Sequence, residues 1–289
     1  MTLPNRQTRH VLVLGASGKL GRMLRRAWEL SPPEGLTIDW QYRENAPEAG
    51  RLWRVGEAPL PALPRCDAIL ALWGVTPGAG RDLAENRRLA LAAMDLAEAL
   101  GATRVLHCSS AAVYEPGPVA QAEAAAGGAI NAYGAAKLEM ETALSDWRAA
   151  HPEGAESVAL RIANVVGADS LFAAIGRGAD PITLDQFADG EGPWRSYISP
   201  LALARAFATL LVAERGALPR TLNIAAPAPV AMEALARAAG CDVAWREAPE
   251  SAAPMVSLDT RALGRIIALA PETADEMIAA WRQIEGGGA

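Results

Sequence analysis

Lysine is nearly absent from this sequence. Of its 27 basic residues only Lys19 and Lys137 are lysines, and the other cations are arginines. Basic runs are missing too: 33 acidic residues outweigh the basic ones for a net charge of −6, which excludes nucleic acid and anionic membrane as main partners. No apolar run approaches the roughly 20 residues of a membrane span, and the amino terminus reaches only Val11–Leu14 before a glycine, so no signal peptide is expected. Cys66, Cys108 and Cys241 are odd in number and far apart, which reads as reduced thiols in a cytoplasmic protein. His10, His107 and His151 have no metal-ligand spacing, so no metal site is expected.

What is present is a chain of 289 residues, 51% hydrophobic and 21% charged, long enough for a large core and for a domain with a sizeable extension. Strand and helix signals alternate through its first half. His10–Leu14, Thr37–Tyr42, Asp67–Trp73, Thr103–Cys108 and Ser157–Ile162 read as strands, with helices over Lys19–Leu30, Asp82–Leu100 and Asn131–Ala150 between them. Apolar strands that do not alternate, separated by helices, predict an α/β fold: a doubly wound parallel sheet covered on both faces. After Asn164 the pattern loosens, with helices expected over Leu201–Glu214, Val230–Ala239 and Ala274–Ile284, a short strand at Thr221–Ile224, and a frayed tail at Gly286–Gly288. The expected organisation is a nucleotide-binding domain over 1–163, with a return segment about 194–226, and a smaller substrate-binding lobe within 164–289.

Gly15-Ala16-Ser17-Gly18-Lys19-Leu20-Gly21 joins the first strand to the first helix. Glycines at that spacing allow a tight turn, close approach of backbone N–H groups to a pyrophosphate, and close helix–sheet packing. The motif predicts a dinucleotide at Gly15, Ser17, Gly18, Lys19, Leu20 and Gly21. The second strand ends at Arg43 without a carboxylate at its tip. Arg43 suits a 2′-phosphate, with Lys19 as a second cation, so NADP is the expected cofactor. NAD is the alternative if Asp39 or Glu44 is the ribose ligand.

The other lysine stands in Asn131-Ala132-Tyr133-Gly134-Ala135-Ala136-Lys137. Four residues apart on a helix, Tyr133 and Lys137 share a face, and that stripe continues through Met140, Leu144 and Trp147. With four tyrosines and two lysines in the chain, about 0.03 such pairs are expected by chance. A nearby ammonium lowers the phenol pKa from its reference value of about 10, preparing Tyr133 as a general acid or base. Ser110, beyond the end of a strand, is placed to orient the reacting oxygen. Asn86 interrupts an apolar helical stripe, either as a satisfied structural amide or as part of a proton relay.

Together these residues resemble the extended short-chain dehydrogenase/reductase superfamily, specifically its NAD(P)-dependent epimerase/dehydratase group, over most of the chain. Asp67–Leu72 is similar to its Asp-(apolar)-His-Leu strand, and Asn86 matches the asparagine opening its next helix. Ser109-Ser110-Ala111-Ala112-Val113-Tyr114 resembles its Ser-Ser-x-x-Val-Tyr segment, and Asn131–Lys137 its Asn-Pro-Tyr-x-x-x-Lys. Leu160–Gly167 is similar to its Leu-Arg-x-x-Asn-x-x-Gly, and Arg195-Ser196-Tyr197-Ile198 to its Arg-Asp-Tyr-Ile.

The resemblance implies a Rossmann-like fold and catalytic roles for Ser110, Tyr133 and Lys137, with Asn86 beside them. It implies that Lys137 also holds the cofactor ribose and that Asn164 and Arg195 bind substrate, with a homodimer as the assembly. The implied function is hydride transfer at a carbinol or carbonyl carbon of a sugar-like, nucleotide-sugar-related small molecule. Alternatives are an NADPH-dependent reductase of a small carbonyl compound and a non-catalytic NADP-binding redox sensor. The sequence departs from the pattern where Ser199–Ala202 replaces His-Val-Asp-Asp and where Trp73-Gly74 replaces two alanines.

Overall fold

The computed structural model describes residues 8–57, 63, 65–117, 119–125, 127–129 and 131–286. The leader reading at Met1–Arg6 therefore lies outside the described residues, as do Gly287 and Gly288 of the expected tail.

Seven parallel strands form the central sheet. They are β1 (Arg9–Leu14), β2 (Leu36–Tyr42), β3 (Arg51–Leu52), β4 (Ala68–Ala71), β5 (Arg104–Ser110), β6 (Glu156–Ile162) and, later in the chain, Thr221–Ile224, which adds to the edge beside β6. Strand order runs outward from β1 through β2 and β3 on one side, and through β4, β5 and β6 on the other. The order reverses at β1 and β4, and ligands of such sheets bind beyond the carboxyl ends of the strands at that point. The apolar runs are explained by burial: Val11, Val13, Ile69, Leu70, Val105 and Leu106 are fully inaccessible. Helices cover both faces. On one side lie α1 (Lys19–Leu30) and, later in the chain, Pro200–Val212; on the other α2 (Glu85–Leu100) packs on α3 (Ala132–Ala150).

Several boundaries differ from expectation, among them the helix expected over Val230–Ala239, which starts at Met232 after a short strand, and two at the cleft. The strand read over Asp67–Trp73 is confined to Ala68–Ala71, because the chain leaves the sheet at the cleft. The helix read from Asp82 starts at Glu85; the Asp82 carboxylate accepts a hydrogen bond from the Ala84 amide and holds the preceding turn.

The remaining elements are β7 (Asn164–Val165), α4 (Ser170–Gly176), β8 (Ile182–Gln186), β9 (Trp194–Arg195), β10 (Tyr197–Ile198), α5 (the Pro200–Val212 helix), β11 (the Thr221–Ile224 strand), β12 (Val230–Ala231), α6 (Met232–Ala238), β13 (Val243–Glu247), β14 (Met255–Val256), α7 (Arg261–Gly264) and α8 (Ala274–Gly286). A separate apolar cluster forms around Leu171, Phe172, Ile182, Leu235 and Met277. Helix α8 packs on α6, and also on α1 and α5, so the end of the chain is tied back to the sheet domain. Among the described residues no helix is long and apolar enough to cross a membrane.

Candidate active site

The reactive residues are set where α3 starts against the end of β5. The Asn131 side chain accepts from the Gly134 amide at 2.8 Å and caps the helix, which fixes Tyr133 and Lys137 on its inner face. Met140, Leu144 and Trp147 continue that face into the core. Burial of Met140 and Leu144 contributes about 1.5–3 kcal/mol each. Ser110 ends β5, and its Oγ accepts from the Ala112 amide at 3.2 Å, turning the chain into a short 3-10 helix at Ala111–Val113. The Tyr133 hydroxyl faces the Ser110 side chain. Lys137 is 3% exposed, and its ammonium donates to the Cys108 carbonyl at 2.8 Å.

Burial pushes the Lys137 ammonium down to about 8, against the opposing pull of Cys108 and Glu141. Burial pushes the Tyr133 phenol up, and the Ser110 side chain pulls it back. The expected lowering of Tyr133 by Lys137 is not found in the free protein. Nζ lies 5.8 Å from the ring centroid and is held by a backbone carbonyl.

Asn86 reaches this centre differently from expectation. It is 1% exposed; its Oδ1 accepts from the Val75 amide at 3.0 Å, while its amide donates to the carbonyls of Val75 (2.9 Å) and Leu83 (3.0 Å). That is the satisfied structural amide, not a relay. It clamps the backbone leaving β4, where a Cβ on Gly74 would stand 3.0 Å from Asn86 Oδ1 and 3.4 Å from Lys137 Nζ.

A cleft of about 760 Å³ opens at the switch point, lined by Gly15, Ser17, Gly18, Arg43, Trp53, Arg54 and Trp73 among others. Gly15 has φ +85°, and a Cβ there would lie 2.7 Å from the Trp73 amide nitrogen; one on Gly21 would lie 2.4 Å from the Gly15 carbonyl oxygen. Both positions therefore require glycine, and the loop backbone stays bare toward the cleft. The Gly15 amide donates to Gln41 Oε1 at 2.9 Å, and Gln41 donates on to the Trp53 carbonyl at 2.5 Å, so the tip of β2 presents an amide. Leu20 packs on the core. A dinucleotide fits this bare cradle at the start of α1.

Arg43 is 77% exposed at the rim. Beside it Arg54 donates to the Arg43 carbonyl at 3.1 Å and pairs with Glu44 at 3.2 Å. Asp39 is not free to hold a ribose: it is paired with His10 and, at 2.8 Å, with Arg51. The Lys19 ammonium, expected as a second cation for the cofactor, donates to the Ala168 carbonyl at 3.1 Å.

On the substrate side, Ser110 pairs in register with Ile162, two residues before Asn164, and Asn164 pairs in turn with Tyr197. The Tyr197 hydroxyl donates to Asp169 at 2.6 Å and is hydrogen-bonded with the Asn164 side chain. Arg195 donates to the carbonyls of Trp194 (2.7 Å) and Pro254 (3.3 Å), and among the described residues it has no carboxylate partner. Burial lowers its pKa, with Tyr197 and Asp185 opposing. Ser110, Tyr133 and Lys137 thus gather where α3 meets the end of β5, while Asn164 on β7 and Arg195 on β9 stand on two small separate sheets. Gln41, Arg54 and Glu141 were not anticipated, since no motif marks them; their roles come from partners distant in the chain.

The family model for the NAD dependent epimerase/dehydratase family matches residues 11–225, from β1 past the end of β11. The chain belongs to this family. As an epimerase/dehydratase family member it is an NAD(P)-dependent enzyme with a Rossmann-like fold. No curated protein matches the sequence. Among solved structures, it is similar to MoeE5 in complex with UDP-glucose and NAD, at 20% identity and a TM-score of 0.73, covering 97% of this chain and 100% of that one. A UDP-glucuronic acid 4-epimerase mutant from Bacillus cereus, bound to a fluorinated UDP-glucuronic acid and NAD, matches at 14% identity and a TM-score of 0.75, over 96% and 99% of the two chains. A UDP-N-acetylglucosamine 4-epimerase from Methanobrevibacter ruminantium, in complex with UDP-N-acetylmuramic acid, matches at 17% identity and a TM-score of 0.72, over 96% and 99%.

Proposed function

We propose that this epimerase/dehydratase family member transfers hydride at a carbinol carbon of a nucleotide-sugar-related substrate and prefers NADP. The observation that carries the reading is Tyr133 with the buried Lys137 ammonium 5.8 Å from its ring centroid, at the end of the strand that Ser110 closes. Ser110 orients the substrate oxygen, and Tyr133 exchanges the proton of that oxygen. Lys137 supplies a positive charge beside Tyr133 and would hold the ribose of a bound cofactor. The nicotinamide, when bound, accepts and returns the hydride. Arg195, partly buried without a carboxylate, suits an anionic group on the substrate, and the UDP-sugars bound by the similar structures carry such a group.

The preference for NADP rests on Arg43 at the rim and on the occupied Asp39 carboxylate. In this reading 1–163 with the return segment 194–226 holds the cofactor, the rest of 164–289 shapes the substrate lobe, and the protein works as a cytoplasmic homodimer. NADPH-dependent reduction of a small carbonyl compound is the second reading, favoured by Arg43, because a reductase must exchange its cofactor at every turnover.

Both are tested with UDP-glucose, UDP-glucuronic acid and simple aldehydes, by sugar analysis and by NADPH oxidation. Tyr133→Phe is expected to lower turnover about 10²–10⁴-fold while leaving NADP binding intact. Undiminished turnover by this variant would remove Tyr133 from the chemistry.

A further inference from the structure

Helix α3 meets the end of β5 through three contacts at four-residue spacing. Tyr133 faces Ser110, Lys137 donates to the Cys108 carbonyl at 2.8 Å, and the Ser109 hydroxyl donates to Glu141 Oε1 at 2.5 Å. Three successive turns of one helix face thus hold three consecutive residues of one strand. The third contact is anchored from behind. Arg161 donates to Glu141 Oε2 at 2.6 Å through Nη2 and to Oε1 at 3.0 Å through Nε, and its Nη1 donates to the Tyr114 hydroxyl at 2.9 Å and to the Glu123 carbonyl at 2.7 Å.

We propose that Glu141 is a positioning residue of the reactive centre: it locks β5 to α3 beside Ser110 and sets the charge around the Lys137 ammonium one helical turn away. The second half of this role follows from what surrounds Nζ. The titratable groups facing it are Tyr133 and Glu141 from α3 and His107 and Cys108 from β5, while the α2 side offers only Gly74 and the Asn86 amide. Burial pushes the Cys108 thiol up to about 12 and His107 down to about 3, so both are neutral near pH 7. Together with Cys108, Glu141 opposes the desolvation of Lys137, which alone favours the uncharged amine. A purely structural Glu141–Arg161 pair would stabilise the fold without bearing on Lys137.

The scarcity of lysine makes this directly measurable. Lysine labelled with ¹⁵N at Nζ gives signals from Lys19 and Lys137 only. In the wild-type chain Lys137 is expected to titrate near 8, as burial against Glu141 dictates. In Glu141→Gln its midpoint should fall by about one unit, Glu141→Asp should return it toward the wild-type value, and Lys19 should stay put. Because Glu141→Gln leaves the Arg161 charge buried alone, Glu141→Gln/Arg161→Gln removes the pair together; loss of the cation offsets part of the loss of the carboxylate, so its downward shift should be smaller than that of Glu141→Gln. A Lys137 midpoint identical in the wild-type, Gln and double variants overturns the role of Glu141.

The proposal rests on Ser110, Tyr133 and Lys137 being the reactive centre, but lysine titration needs no turnover. A missing shift sinks Glu141 alone, whereas normal turnover by Tyr133→Phe sinks the centre.

Discussion

Gly134 lies against the carbonyl of Ala112 so closely that a Cβ on Gly134 would stand 2.0 Å from that oxygen. This contact brings the first turn of α3 onto the turn that follows Ser110, and it sets how closely Tyr133 approaches its partner.

Gly134→Ala must therefore push the helix and the turn apart, because the obstacle is backbone and not a flexible side chain. Overpacking of this kind costs about 1–3 kcal/mol, which lowers the melting temperature by about 2–4 °C per kcal/mol in a chain of this size class. Turnover should fall further than stability, since Ser110 and Tyr133 stand on the two displaced surfaces. Calorimetry and steady-state kinetics check this; a variant with full activity and an unchanged melting temperature shows that the gap closes without strain.

Arg43 is the exposed cation at the cleft rim, and Asp39 cannot replace it as a ribose ligand because His10 and Arg51 already hold it. Titration by calorimetry should show tighter binding of NADPH than of NADH. Removing one charge-assisted contact of about 1.5–3 kcal/mol in Arg43→Ala should erase roughly tenfold or more of that preference. A preference that survives intact assigns 2′-phosphate recognition elsewhere, with Arg54 the next residue to replace.

His107 is fully buried against Met94, with Nε2 3.3 Å from the sulfur, and burial pushes its pKa down to about 3, helped by Arg148 and Lys137. The unfolded chain binds this proton near pH 6.5 and the native chain does not. Stability is thus complete above about pH 6.5 and falls as pH drops from there towards 3, by about 2 kcal/mol at pH 5. Urea midpoints between pH 7 and pH 5 should fall less steeply in His107→Leu than in the wild-type chain. Equal slopes would clear His107 as a source of acid lability.

Much of the site was legible because its motifs are local. The glycine loop occupies seven consecutive residues, Gly15 to Gly21, and Tyr133 with Lys137 spans one helical turn, so spacing alone reports which groups share a face. The long strands were legible through burial, which the apolar runs at Val11–Leu14 and Val105–Leu106 encode directly. The two-residue strands β3, β7, β9, β10, β12 and β14 were not, since too few residues carry any periodicity.

The sequence by itself determined the doubly wound sheet, the glycine loop after its first strand and the shared helix face of Tyr133 and Lys137, because each depends on short-range pattern and on residue type. Only the tertiary structure decided which polar groups are already occupied. Asn86 is committed to the backbone of Val75 and Leu83, and Lys19 reaches the carbonyl of Ala168. Asp39 is held by Arg51, and Glu141 grips Ser109 and Arg161. Hydrogen-bond satisfaction is a property of neighbours in space, and the folded path of the chain is what makes residues 19 and 168 neighbours.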